Sequence, residues 1–90
     1  MNVQQEIKDQ IIYYKSITDY YGEDLKLSIL YMRCPNDVFE QLIKEIEEEI
    51  EEEIDHTPFN FMIAIDGVTV KVNNNHVSIK FQPYYVPSKN

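Results

Sequence analysis

Ninety residues, 43% apolar and 27% charged, are enough for one hydrophobic core and argue against wholesale disorder. Sixteen acids against eight bases leave a formal charge of −8, which argues against direct nucleic-acid binding and favours positively charged partners. A single cysteine excludes an intramolecular disulfide, no Cys/His cluster suggests structural zinc, and no apolar run approaches the ~20 residues of a membrane helix. The opening Met-Asn-Val-Gln-Gln-Glu has neither a basic n-region nor an apolar h-region, so a reduced, cytoplasmic setting is expected. Residues with AT-rich codons (Ile, Asn, Lys, Tyr, Phe, Met) far outnumber Gly, Ala, Arg and Pro, which suggests a low-GC bacterium or one of its mobile elements.

Residues 2–21 read as a first helix. Val3, Ile7, Ile11, Tyr14, Ile17 and Tyr21 recur at spacings of three and four, with Lys8, Asp9, Lys15, Ser16 and Asp19 opposite them. Gly22 is placed to close this helix in a left-handed conformation, and Ile12 stands alone on the polar side. Residues 25–32 alternate as a strand, with Leu25, Leu27, Ile29 and Tyr31 on one face. Leu30 and Met32 make its end apolar on both sides, and Cys34-Pro35-Asn36 ends it.

A second helix is expected from Asn36 or Asp37, with Asp37 and Glu40 at capping-box spacing and Thr57-Pro58 as its stop. Phe39, Ile43, Ile46, Ile50 and Ile54 form its seam, which Val38 and Leu42 broaden only in the first half. Three strands follow at 59–66, 68–72 and 76–82. Asp66-Gly67 signals a tight turn between the first two, and the three asparagines at 73–75 a looser one between the last two. Residues 83–90 read as an extended C-terminal tail. The order α-β-α-β-β-β, with one apolar stripe per helix and one apolar face per strand, implies a single α+β domain over residues 1–90. Its expected form is a two-layer sandwich, both helices on one face of a mostly antiparallel four-stranded sheet.

Residues 45–55 hold eight carboxylates and no base, so the rest of the chain balances at eight and eight. As continuous helix the run spans ~16 Å, or one charge per ~2 Å, against one per ~1.7 Å of duplex DNA axis. Folding is a poor reason for it. Glu47/Glu51, Glu48/Glu52 and Glu49/Glu53 are like-charge pairs at i,i+4, each unfavourable by a few tenths of a kcal/mol. The charge also gathers where the helix dipole disfavours it. The plain alternative is a solvated face built from a good helix former.

Glu53 and His56 have the Glu-x-x-His spacing of di-iron bundles, but one copy in a chain with strands lacks the paired motif such sites need. No metal or cofactor is therefore expected. Cys34 has no motif linking it to His56 or His76, and Gly22 and Gly67 make no phosphate loop, so an enzyme is not expected. Tyrosine is abundant and paired. Tyr13 and Tyr20 flank the stripe of the first helix, while Tyr84 and Tyr85 follow the last strand. Such residues offer rigid contact area with a hydroxyl and suit interfaces.

The stretch Tyr20-Tyr21-Gly22-Glu23-Asp24-Leu25 resembles one in the barstar family of small acidic nuclease inhibitors. It covers six residues of 90, and the patterns on either side differ from that family's, so no site is carried over. In size, charge and composition the chain is similar to small acidic phage proteins that block host nucleases, such as anti-restriction and anti-CRISPR inhibitors. The expected function is thus a binding protein whose Glu47, Glu48, Glu49, Glu51, Glu52, Glu53 and Asp55 enter the basic groove of a nuclease or other nucleic-acid-binding protein. Tyr13, Tyr20, Tyr84 and Tyr85 would supply anchors. The alternative is a homo-oligomeric structural or regulatory domain, such as a homodimer, paired along Ile46, Ile50 and Ile54, with acids that only keep it soluble.

Overall fold

Helix α1 (Val3–Tyr21) forms over a stretch free of Gly and Pro, and its apolar stripe turns inward: Val3, Ile7 and Ile11 are buried. Ile12 points outward and is 63% exposed. The computed structural model describes residues 2–21, 25–56 and 60–87, without the side chains of 18–21. Gly22 as helix closer, Thr57-Pro58 as helix stop and the side chain of Tyr20 therefore lie outside the described residues.

Four strands form one mixed sheet in the order β2-β3-β1-β4: β1 (Leu25–Arg33), β2 (Asn60–Ile65), β3 (Val68–Asn73) and β4 (Lys80–Pro87). β1 runs parallel to β3 and antiparallel to β4, and β2 pairs antiparallel with β3. The parallel pair needs a long crossover, which α2 (Asn36–Ile50) and β2 provide. Both helices lie on one face of the sheet, where Val3, Ile7, Phe39 and Leu42 share a core with Leu30, Met32, Val70 and Val72. The α+β sandwich is as expected, and the mostly antiparallel sheet contains one parallel pair.

Three local expectations change. First, β1 does not keep Leu25, Leu27, Ile29 and Tyr31 on one face. Leu27 pairs with Tyr85 but Ile29 with Tyr84, so Ser28 is an extra residue. This bulge moves Leu30, Met32 and the following Cys34 into the core and sends Ile29 and Tyr31 to the opposite face. Second, the last strand is Lys80–Pro87 rather than 76–82, and most of the expected tail is strand. β3 and β4 sit on opposite sides of β1, so residues 74–79 cross its end instead of forming a hairpin. There Val77 is 92% exposed, and the Ser78 N–H donates to His76 Nδ1 at 3.3 Å. Third, the capping box at Asp37 does not form. Pro35 is the N-cap without a side-chain bond, and its carbonyl accepts the Phe39 N–H at 3.0 Å. Asp37 lies instead in the first turn, where the helix dipole favours an acid.

The Asp66-Gly67 turn holds, with φ of 49° and 79°, the double positive φ of a type I′ hairpin. Cys34 is buried, and desolvation, helped by the nearby charge of Asp37, pushes its thiol up to about 11. A protonated, enclosed thiol is a packing residue. Cys34 should therefore resist alkylation in the native chain and react once denaturant opens it. Mass spectrometry would show this, and native labelling as fast as that of a free thiol would remove Cys34 from the core.

Candidate functional site

Three different jobs divide the acidic run. Glu45 faces the start of α1, where its two carboxylate oxygens accept the N–H groups of Val3 and Gln4 at 2.8 and 3.0 Å. The first amides of a helix have no partner within it, and the helix dipole is positive there, so one side chain satisfies two donors and a field. Gln41 donates to the same carboxylate at 3.1 Å, and Gln4 donates to Glu49 at 3.2 Å. Asn2 Oδ1 accepts a further amide, that of Gln5, at 2.9 Å.

The second job is to end the helix. The expected continuous helix to residue 55 does not form: α2 stops at Ile50, and Glu51 takes a left-handed conformation with φ 57°. The chain then doubles back. Ile54 packs against the core, and its N–H donates to Glu47 Oε2 at 2.9 Å. His56 lies between two acids of α2, its Nδ1 2.8 Å from Glu40 and its Nε2 3.1 Å from Glu47. The hydrogen bond from the Ile54 amide, then that from His56, lowers the Glu47 carboxyl below its ordinary value of 4.5. The bonds to Glu47 and then Glu40 raise His56 above 6.5.

This clasp also replaces the Glu53/His56 metal motif. Residues 53–56 are not helical, and both ring nitrogens of His56 face Glu40 and Glu47 rather than Glu53. Among the described residues no group of three His, Cys, Asp or Glu is arranged to hold a metal ion.

The third job is display, which Glu49 combines with its bond to Gln4. Glu48, Glu49, Glu51, Glu52, Glu53 and Asp55 are exposed, and Lys44 is the one base between residues 36 and 56. Glu48, Glu51, Glu52, Glu53, Lys44 and His56 surround an open concavity of about 590 Å³. The linear charge density of the expected helix is thereby folded into a compact knob, with Glu47 partly withdrawn into its base. Among the described residues that line the concavity, the ionisable groups are carboxylates, the Lys44 ammonium and the His56 imidazole.

No family model, curated protein or solved structure matches this chain. The site therefore rests on its own geometry.

That geometry does not gather Tyr13, Tyr84 and Tyr85 around the knob. Tyr13 is exposed on α1, its ring edge-on to Tyr14 at 5.2 Å. Tyr84 lies on the sheet face away from the helices, 5.6 Å from Tyr31 and 54% exposed. Tyr85 faces the core side, and its hydroxyl donates to the Tyr14 carbonyl at 3.1 Å; burial raises its pKa. Glu40, Glu45 and His56 were not among the expected site residues, because their roles depend on elements distant in sequence. A second group, the cations of the open sheet face, was missed because the bulge in β1 hides its alternation.

Three measurements test this division. Glu45→Ala should lower stability by about 1 kcal/mol, as loss of a helix cap does, in denaturant titration. Glu51→Gly should raise stability by about 0.5–1 kcal/mol, since glycine adopts positive φ without a Cβ penalty.

The pH dependence of the clasp follows from its two shifts. The contribution of His56 is complete below its ordinary value of 6.5 and is lost as pH rises through the raised value. That of Glu47 is complete above 4.5 and is lost as pH falls through the lowered one. Nuclear magnetic resonance should find the His56 imidazole titrating above 6.5, and Glu47→Gln should move it back down. A midpoint at or below the ordinary value would exclude the clasp.

Proposed function

We propose that this protein acts by binding another protein, inserting its acidic knob into a basic groove that otherwise holds nucleic acid. The observation that carries the reading is the set of exposed carboxylates Glu48, Glu51, Glu52 and Glu53, with Glu49 beside them accepting one surface hydrogen bond from Gln4. Glu45 and Glu47, which the fold does use, are half-buried and hydrogen-bonded. The contrast separates structural acids from displayed ones within one short run.

A cluster of this kind raises the rate of encounter with a positive groove and makes binding salt-dependent. The result is competitive inhibition of a nuclease or other nucleic-acid-binding protein, with no enzymatic step and no cofactor. The small size and acidic composition are consistent with a phage or mobile-element inhibitor of anti-restriction or anti-CRISPR type, acting in the host cytoplasm. No helix among the described residues is long and apolar enough to cross a membrane.

The alternative seam of Ile46, Ile50 and Ile54 has less to support it. Ile46 and Ile54 pack against this chain's own core, which leaves Ile50, 48% exposed, as the outward member. One side chain is not an interface stripe.

Combined reversal of Glu48, Glu49, Glu52 and Glu53 to Lys should weaken capture of the target from host lysate by about tenfold or more, the scale of lost charge complementarity. Nucleic acid added to the wild-type capture should displace the target. Binding that ignores both the reversal and added salt would sink the reading.

A further inference from the structure

The face of the sheet turned away from the helices has a charge pattern opposite to that of the knob. Lys26, Arg33, Lys71 and Lys80 all lie on it, and among its described residues there is no carboxylate. That is half of the chain's eight bases. Arg33 and Lys80 are directly opposite each other in the β1/β4 register, an arrangement that costs stability unless an anion lies between them. Tyr31, Met62 and Tyr84 add apolar area to the same face, with Met62 66% exposed. Arg33, Lys71, Tyr31, Gln82 and His76 border a shallow depression of about 720 Å³.

We infer that this face is a docking surface for the acidic knob of a second copy of the chain, in a head-to-tail contact. Charge complementarity selects the occupant. The knob offers five exposed glutamates, and the sheet face offers four cations, two of which, Arg33 and Lys71, border the depression. Sheet-to-sheet pairing would place these cations against their own copies, so an isologous dimer through this face is disfavoured. A nucleic-acid strand is the less favoured occupant. Base stacking needs an open ring, yet Tyr31 already has the Lys71 ammonium 5.4 Å from its ring centre and Tyr84 edge-on at 5.6 Å.

A contact between two different patches leaves one of each free, so it adds further copies in a ring or an open chain. It also covers the surface that the proposed target would occupy, which makes self-association and target binding mutually exclusive. The inference does not rest on that target, because it is read from the purified protein alone.

Sedimentation of the purified chain at about 0.02 M and about 0.5 M salt is the first measurement, since screening should weaken such a contact. The expected result is mass above the monomer at low salt, growing with concentration and lost at high salt. Arg33→Glu with Lys80→Glu should weaken association by about tenfold or more, and so should Glu48→Lys with Glu52→Lys. Mixing the two variants should restore association, because the intact knob of one meets the intact sheet face of the other. Restored pairing would in addition show that both variants are folded. A wild type that stays monomeric at low salt overturns the inference, and so does a mixture that fails to pair. Loss of association with the sheet variant alone would mean another occupant. A monomer that binds a labelled oligonucleotide through Arg33 and Lys80 would point to nucleic acid instead.

Discussion

β1 has hydrogen-bonded neighbours on both sides and apolar side chains at both odd and even positions, so its register decides what each layer of the molecule receives. Ser28 is the extra residue in that register. Ahead of it Leu27 faces the helices; after it Leu30 and Met32 do, and Cys34 follows them into the core. A regular strand that kept Leu27 and Ile29 on the core side would turn Leu30 and Met32 out to water. Burying a large apolar side chain is worth roughly 1.5–3 kcal/mol, so the bulge is the conformation in which the long apolar end of β1 is used. Its consequence on the other side is equally definite. Ile29 and Tyr31 join Lys71, Gln82 and Tyr84 to make an open face that no helix covers.

The two helices are tied together at their ends by the same acidic run that dominates the charge. Glu45 reaches the first amides of α1, and Glu47 holds the returning chain at Ile54 and His56. These bonds order the end of α2 and leave a charged turn beyond it. The molecule is therefore electrically asymmetric. Carboxylates crowd the end of the helix layer around Lys44, and among the described residues the open side of the sheet carries cations and no acid. Net charge alone describes such a molecule poorly, because screening over about 8 Å lets each surface act on what is close to it. The two proposed contacts both follow from this separation.

Much of the fold was legible because its signals are local. The stripe of α1, the double positive φ at Asp66-Gly67 and the alternation of β2 and β3 depend on side chains a few positions apart. The less legible parts depend on non-local partners. The β1 bulge answers the pairing with β4, more than fifty residues away, and β4 takes residues 84–87 into the sheet because β1 offers it an edge. The end of α2 could not be read from a run of good helix formers. It is set by Ile54 turning to the core and by His56 finding Glu40 and Glu47. The acidic candidates were legible as a group, but not which of them the fold consumes. The tyrosines were legible as unusual, yet the sheet sends Tyr84 and Tyr85 to opposite faces.

By itself the sequence determined the class of the molecule, the order of its elements and the place where its negative charge is concentrated, since periodicity and composition act over one turn or one strand. Tertiary structure decided which acids are free to meet a partner, because a carboxylate is spent only when another element brings an amide or an imidazole to it. It also decided that half of the bases share one surface, because they come from three strands whose neighbours are chosen by pairing and not by order along the chain.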